Sequence, residues 1–269
     1  MPAIDIARLK IQAAVLVEKF DQPAAFLKGL HEILDTYADR TLRVGVVAAP
    51  ISVLPSYRNP PAVLRQIETE LIPLAAAFPE QSMALTDALW KDGYLETRLL
   101  AAALLGRIHP GTTHLLERIS DWVDQTRDRQ LRTALLTASL ARLRRESPDR
   151  FLDLIQGWFS MENPGMWGNA IDALIPLIKD PGFDNLPPVF DITKPMIIAA
   201  PNKLQNELID LISALYTASP TETTFFLKQA IIGSSSNHTV TAIRRIIDSL
   251  PGGLQPALRE VIRTAKSGI

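Results

Sequence analysis

The chain has 269 residues, 47% of them hydrophobic and 21% charged, with a formal net charge of −1. That balance excludes wholesale electrostatic attachment to nucleic acid or to an anionic membrane. The absence of cysteine excludes a disulfide frame, a thiol nucleophile and a cysteine zinc site.

Apolar residues recur at spacings of three and four with few β-branched alternations, which predicts helices and almost no sheet. Residues 4–20 and 22–39 read as two helices, the second opened by Asp21 with Pro23 in its first turn. Residues 40–60 break the pattern as a long loop, from Val44 through Pro50 and Pro55 to Asn59-Pro60-Pro61. Pro60 and Pro61 then start a helix that ends near Phe78.

From Pro79 one unit recurs. A helix ends in Trp90, the polar turn Lys91-Asp92-Gly93 follows, and a second helix starts near Tyr94. A helix then ends near Trp122, a polar turn runs to Arg127, and a second helix starts near Asp128. Five second helices align in one column: Glu96–Ile108, Gln130–Leu143, Trp167–Ile178, Leu204–Leu215 and Thr239–Leu250. Each first helix follows a break, at Pro79, Pro110-Gly111, Ser147-Pro148, Pro187-Pro188 or Ser219-Pro220, with Ser147 and Ser219 as expected N-caps. Self-similarity at roughly 30 to 40 residues is the signature of a stacked helical repeat. A single pair cannot bury both apolar faces, so each stacks on its neighbours.

The expected architecture is therefore all-α, a right-handed α-solenoid of antiparallel helix pairs of HEAT or armadillo type. One domain of residues 1–269 is expected. It comprises N-terminal helices and loop over 1–55, repeats over 56–250, and a capping segment over 251–269 that holds the helix Leu254–Lys266. Met1–Arg8 carries charges where a signal peptide has an unbroken apolar run, and no apolar stretch approaches the ~20 residues of a membrane span. A cytoplasmic protein is the expectation.

Two segments carry a family likeness. They are Tyr57-Arg58-Asn59-Pro60-Pro61-Ala62-Val63-Leu64-Arg65 and Leu89-Trp90-Lys91-Asp92-Gly93-Tyr94-Leu95-Glu96-Thr97-Arg98-Leu99-Leu100-Ala101-Ala102. Together they resemble the AlkD-like branch of the DNA alkylation-repair proteins. Ile155-Gln156-Gly157-Trp158, Asn163 and Trp167 look like that branch's following repeat, and Leu204–Pro220 is similar to the one after it. The resemblance implies a HEAT-like solenoid that holds duplex DNA in a concave groove, some members excising alkylated purines with an Asp, an Arg and concave tryptophans. The branch's Trp-Asp-x-Val-Asp element finds here only Trp122-Val123-Asp124, or Asp128, in a different arrangement. Its Arg falls on Asn169 or Ala170, and its later Trp and Arg fall near Leu211 and Ala214; Trp167 alone matches.

Charge is uneven along the chain. Arg98, Arg107, Arg127, Arg129, Arg132, Arg142, Arg144, Arg145 and Arg150 crowd one stretch, whereas Phe151 to Ile243 holds no arginine. Duplex affinity rests on neutralised phosphates, so only the first stretch offers a basic strip, with Arg98 and Arg132 in one repeat column. The bland alternative pairs these arginines with Glu96, Asp128, Glu146 or Asp149. Trp90, Trp122 and Trp158 sit at equivalent helix ends, which predicts inter-repeat packing. Trp167, in a first turn after Asn163-Pro164-Gly165, is open to either exposure or burial, and if exposed could stack on a base or an extended peptide.

His31, His109, His114 and His238 are too scattered for a metal set and read as surface or capping residues; no metal and no cofactor is expected. Gly233-Ser234-Ser235-Ser236-Asn237 lacks the lysine and glycine spacing of a phosphate loop and reads as a turn.

The leading expectation is a non-catalytic scaffold binding DNA, weakly or structure-specifically, or a protein, through Arg98, Arg129, Arg132, Trp167 and Asn169. The alternative is an active DNA N-glycosylase in which Asp124 or Asp128 supplies the carboxylate.

Overall fold

The computed structural model describes residues 5–40, 52–159, 163–199, 202–233 and 237–266, without the side chains of 237–239 and 265–266. Most of the long loop over 40–60, the serine-rich turn and the His238 side chain therefore lie outside the described residues. Fifteen α-helices and no strand occur among the described residues. The chain divides into two compact units, Met1–Pro148 and Asp149–Ile269.

The first unit holds α1 (Ile6–Val17), α2 (Pro23–Thr36), α3 (Pro61–Ala77), α4 (Pro79–Asp92), α5 (Leu95–Leu105), α6 (Leu115–Gln125), α7 (Arg129–Thr137) and α8 (Ala141–Glu146). Sequence marks most of their starts. Asp5 caps α1 by accepting the Arg8 amide at 3.0 Å. Proline opens α2, α3 and α4, its missing N–H costing nothing in a first turn. Gln22, not Asp21, occupies the N-cap of α2. Gly93 ends α4 at φ 85°, a left-handed position that glycine adopts without a Cβ clash.

Burial follows the helical period: Phe26, Leu30, Ile33 and Leu34 of α2 and Val63, Ile67 and Leu71 of α3 are buried. The odd helices α1, α3, α5 and α7 pack each against the next, and α2 packs on α4. Adjacent helices also meet, α4 with α5 and α6 with α7. Buried hydroxyls inside α4 are satisfied locally, Ser82 donating to the Phe78 carbonyl at 2.7 Å and Thr86 to the Ser82 carbonyl at 2.6 Å.

The expected single helix Gln130–Leu143 is broken. α7 stops at Thr137 and α8 starts at Ala141. Ser139 N reaches back to Ala134 O at 3.3 Å, widening the turn, and Arg144 donates to the freed carbonyls of Leu136 and Thr137 at 3.0 and 2.7 Å. Here α5 and α7 come close: a Cβ built on Gly106 would lie 1.9 Å from the Ala138 carbonyl oxygen.

The second unit holds α9 (Pro148–Trp158, its first residue at the boundary), α10 (Trp167–Ile178), α11 (Pro187–Ala199), α12 (Gln205–Ala218), α13 (Pro220–Ile232), α14 (Asn237–Ile246) and α15 (Gln255–Lys266). Within it α10 packs on α12, α11 on both α13 and α14, and α13 on α15. Ser219 stands at the N-cap of α13 but makes no side-chain cap bond. No helix among the described residues is long and apolar enough to cross a membrane.

Candidate nucleic-acid interface

The starts of α5 and α7 gather the residues that carry the candidate chemistry in the first unit. Trp90 near the end of α4 and Trp122 near the end of α6 stack with ring centroids 3.9 Å apart and planes 5° apart. The Arg98 guanidinium lies 5.0 Å from the Trp90 ring centroid and its Nε donates to the Trp90 carbonyl at 3.0 Å. Trp90 and Trp122 thus join successive pairs, as their spacing predicts.

The other arginines divide between paired and unpaired. Arg107 bonds Glu68 at 2.8 Å, Arg118 bonds Asp87, and Arg142 bonds Glu146 at 2.8 Å. Hydrogen bonds from Arg142, with Arg145 beside it, hold the Glu146 carboxyl below its ordinary pKa. Of the carboxylates weighed as partners for the arginines, Glu146 pairs with Arg142 and Arg145, and no ion pair joins Glu96 or Asp128 to Arg98 or Arg132 among the described residues. Arg129 is exposed. Arg132 is half-buried, and its buried Nε has no hydrogen-bond partner among the described residues.

The two carboxylate candidates separate sharply. Asp128 is only 5% exposed and caps α7, one oxygen accepting the Leu131 amide at 3.0 Å and the other the Val53 amide at 3.2 Å. Burial alone would raise its pKa, but bonds from the Ser52 hydroxyl and the Leu131, Val53 and Gln130 amides hold it below the usual carboxylate value. An Asp just ahead of a helix is a strong N-cap signal, so this role was open to sequence reasoning. Asp124, on the last turn of α6, is exposed.

Trp167 and Asn169 belong to the second unit. Trp167 is 5% exposed, so it offers no stacking face, which corrects the reading of it as a binding residue. Its ring sits at the start of α10, which buries eight of its residues, Trp167 included. Asn169 of the same helix is also buried, and its amide nitrogen approaches the Met166 sulfur at 3.4 Å.

One polar cluster escaped sequence reasoning because it joins residues far apart in the chain. His31 bonds the Tyr57 hydroxyl through Nδ1 and Asp92 Oδ1 through Nε2, both at 2.9 Å. Tyr57 stacks on Tyr94 at 5.0 Å, and burial together with the neighbouring Tyr94, Asp35 and Asp92 raises the Tyr57 pKa. His31 keeps a 27% exposed side chain and also ties Tyr57 to Asp92.

The cluster anchors residues 52–59, which cross the starts of α5 and α7. Pro55 O accepts the Leu95 amide at 2.9 Å, and Glu96 Oε1 accepts the Ser56 hydroxyl at 2.7 Å and the Arg58 amide at 2.8 Å. Asn59 donates to the Leu34 carbonyl at 2.7 Å. No group of three or more His, Cys, Asp or Glu able to hold a metal occurs among the described residues.

A scan against protein-family models matches residues 61–234, more than half of the chain, to the DNA alkylation repair enzyme family. Searches of the curated proteins and of the solved structures found no match. With its packed helix pairs and a family match that spans both units, the chain belongs to the DNA alkylation repair enzyme family.

Proposed function

We propose that this protein is a non-catalytic binding member of its family, built of HEAT-like antiparallel helix pairs in a right-handed stack. The partner we infer is duplex DNA, held through its phosphates by Arg129 and Arg132 on α7, with Arg98 on α5 extending the strip. The observation that carries the reading is the state of Asp128. A carboxylate that stabilises charge at a deoxyribose must face the ligand in a water-poor groove. Asp128 is instead committed to its own helix as the N-cap of α7, where it accepts the Leu131 amide. Support for a phosphate contact comes from Arg129, which is exposed at the start of α7 and has no ion pair among the described residues.

Excision remains the second reading because Asp124 is exposed two residues beyond Trp122 and free to face a ligand. One set of measurements separates the two. Labelled duplex is titrated at two salt concentrations with the wild type and with Arg129→Ala and Arg132→Ala, and alkylated duplex is assayed for released base. Salt-dependent binding weakened by both substitutions, with no released base, is the expected result. Base release abolished by Asp124→Asn overturns the non-catalytic reading. No duplex binding at low salt removes DNA as the partner and leaves a protein.

A further inference from the structure

We propose that Ser52–Asn59 is an autoinhibitory strap that closes the α5 and α7 starts to a nucleic-acid backbone and lifts when duplex binds. The inference rests on the DNA-binding reading above. Three features of the strap carry it.

The first is its path. Val53 is tied to Asp128, immediately before Arg129, and Arg58 is tied to Glu96, two residues before Arg98. The strap therefore runs between the same two helix starts that a phosphate backbone would follow from Arg98 to Arg129 and Arg132. Both cannot lie there together.

The second is what the strap consumes. First-turn amides are the donors with which a helix N-terminus takes an anion. The Leu95 amide of α5 is spent on Pro55 O of the strap, whereas the Leu131 amide of α7 is held by the Asp128 cap of its own helix. Closure thus ties up one such donor as well as space.

The third is its balance. Glu96 is 4% exposed, and its Oε2 is buried with no partner among the described residues. The same holds for Asp92 Oδ2, whose partner His31 bonds the strap, and for Asn59 Oδ1 in the strap itself. Buried acceptors without donors carry a desolvation cost, and lifting the strap returns them to water. The hydrogen bonds that hold the strap are set against that cost, which leaves closure poised instead of permanent.

The chain has no cysteine, so one introduced pair is unique. Ser52→Cys/Gln130→Cys, joined by a short bismaleimide, locks the strap. Ser56→Ala/Tyr57→Phe removes strap bonds from the strap side and leaves the Asp128 cap and Glu96 in place. Fluorescence anisotropy with a labelled duplex at low salt reads each form. The locked protein is expected to bind at least tenfold weaker than the same protein before crosslinking, and the loosened variant at least threefold tighter than the wild type.

Amide exchange gives a second readout: at saturating duplex, the Val53, Arg58 and Leu95 amides exchange faster than in the free protein. Equal affinity of locked and unlocked forms, or unchanged protection at those amides, overturns the strap. Absence of duplex binding by every form overturns the DNA reading first and the strap with it, so the two failures look different.

Discussion

Trp90 and Trp122 lie parallel at 3.9 Å, and this contact joins the α4/α5 pair to the α6/α7 pair. Trp122 is 4% exposed, whereas Trp90 is half-buried with the Arg98 guanidinium beside it. Trp122→Ala therefore removes a buried indole and should destabilise the protein by about 3–5 kcal/mol. Trp90→Ala should cost less. A double-mutant cycle in urea, followed by circular dichroism, should give a coupling of about 1 kcal/mol between the rings. A coupling near zero would mean that the stack adds nothing beyond burial.

The packing of α5 against α7 rests on a missing side chain. At Gly106 a Cβ would stand 1.9 Å from Ala138 O and 2.9 Å from its carbonyl carbon. Those neighbours are backbone, so no rotamer change relieves the clash, and the helices must move apart. Gly106→Ala should therefore lose about 2–3 kcal/mol, the upper part of the range for an overpacked contact. Thermal unfolding measures it. Gly157→Ala is the control: nothing lies near its Cβ, and alanine is the better helix former.

Asp128 links stability to pH. Its folded pKa lies below its ordinary value. Its contribution is therefore fully present above the unfolded carboxylate pKa and is lost as pH falls through the folded value. Asp128→Asn keeps an acceptor for Leu131 but turns an amide donor toward the Val53 N–H or the Ser52 hydroxyl. The expected loss is about 1–2 kcal/mol at neutral pH, most of it gone in acid, where Asp128 itself is protonated. Urea midpoints of both proteins from pH 7 to pH 3 test this, and parallel curves would sink it.

Much of this arrangement was legible in the sequence, and the exceptions have physical causes. Helical spacing and the proline breaks located α3, α4 and α5 closely because burial period and chain-stopping residues act locally. The paired tryptophans were readable for the same reason: one position in a repeat has one packing role. The break between α7 and α8 was not, because Ala138 and Ser139 suit a helix and only the close approach of Gly106 and the pull of Arg144 stop it. The His31–Tyr57 and His31–Asp92 bonds span separations of 26 and 61 residues, which no local pattern reports. Trp167 was undecidable because a first-turn ring can face either way, and what packs around α10 decides it.

Arg129 and Arg132 share α7 but differ in environment, and that difference gives the last prediction. Arg129 is exposed, so a phosphate contact there costs little desolvation and is replaceable by any cation. Arg129→Lys should bind duplex within about twofold of the wild type, and Arg129→Ala should lower the slope of log affinity against log salt by about 1. Arg132 is half-buried, and its planar guanidinium fork is not reproduced by a lysine. Arg132→Lys should therefore weaken binding almost as much as Arg132→Ala, by about tenfold, the 1.4 kcal/mol of one charge-assisted hydrogen bond. Salt titrations of the four variants measure both effects. If lysine restores binding at Arg132, that residue acts as a plain charge and its guanidinium fork plays no part in holding a phosphate.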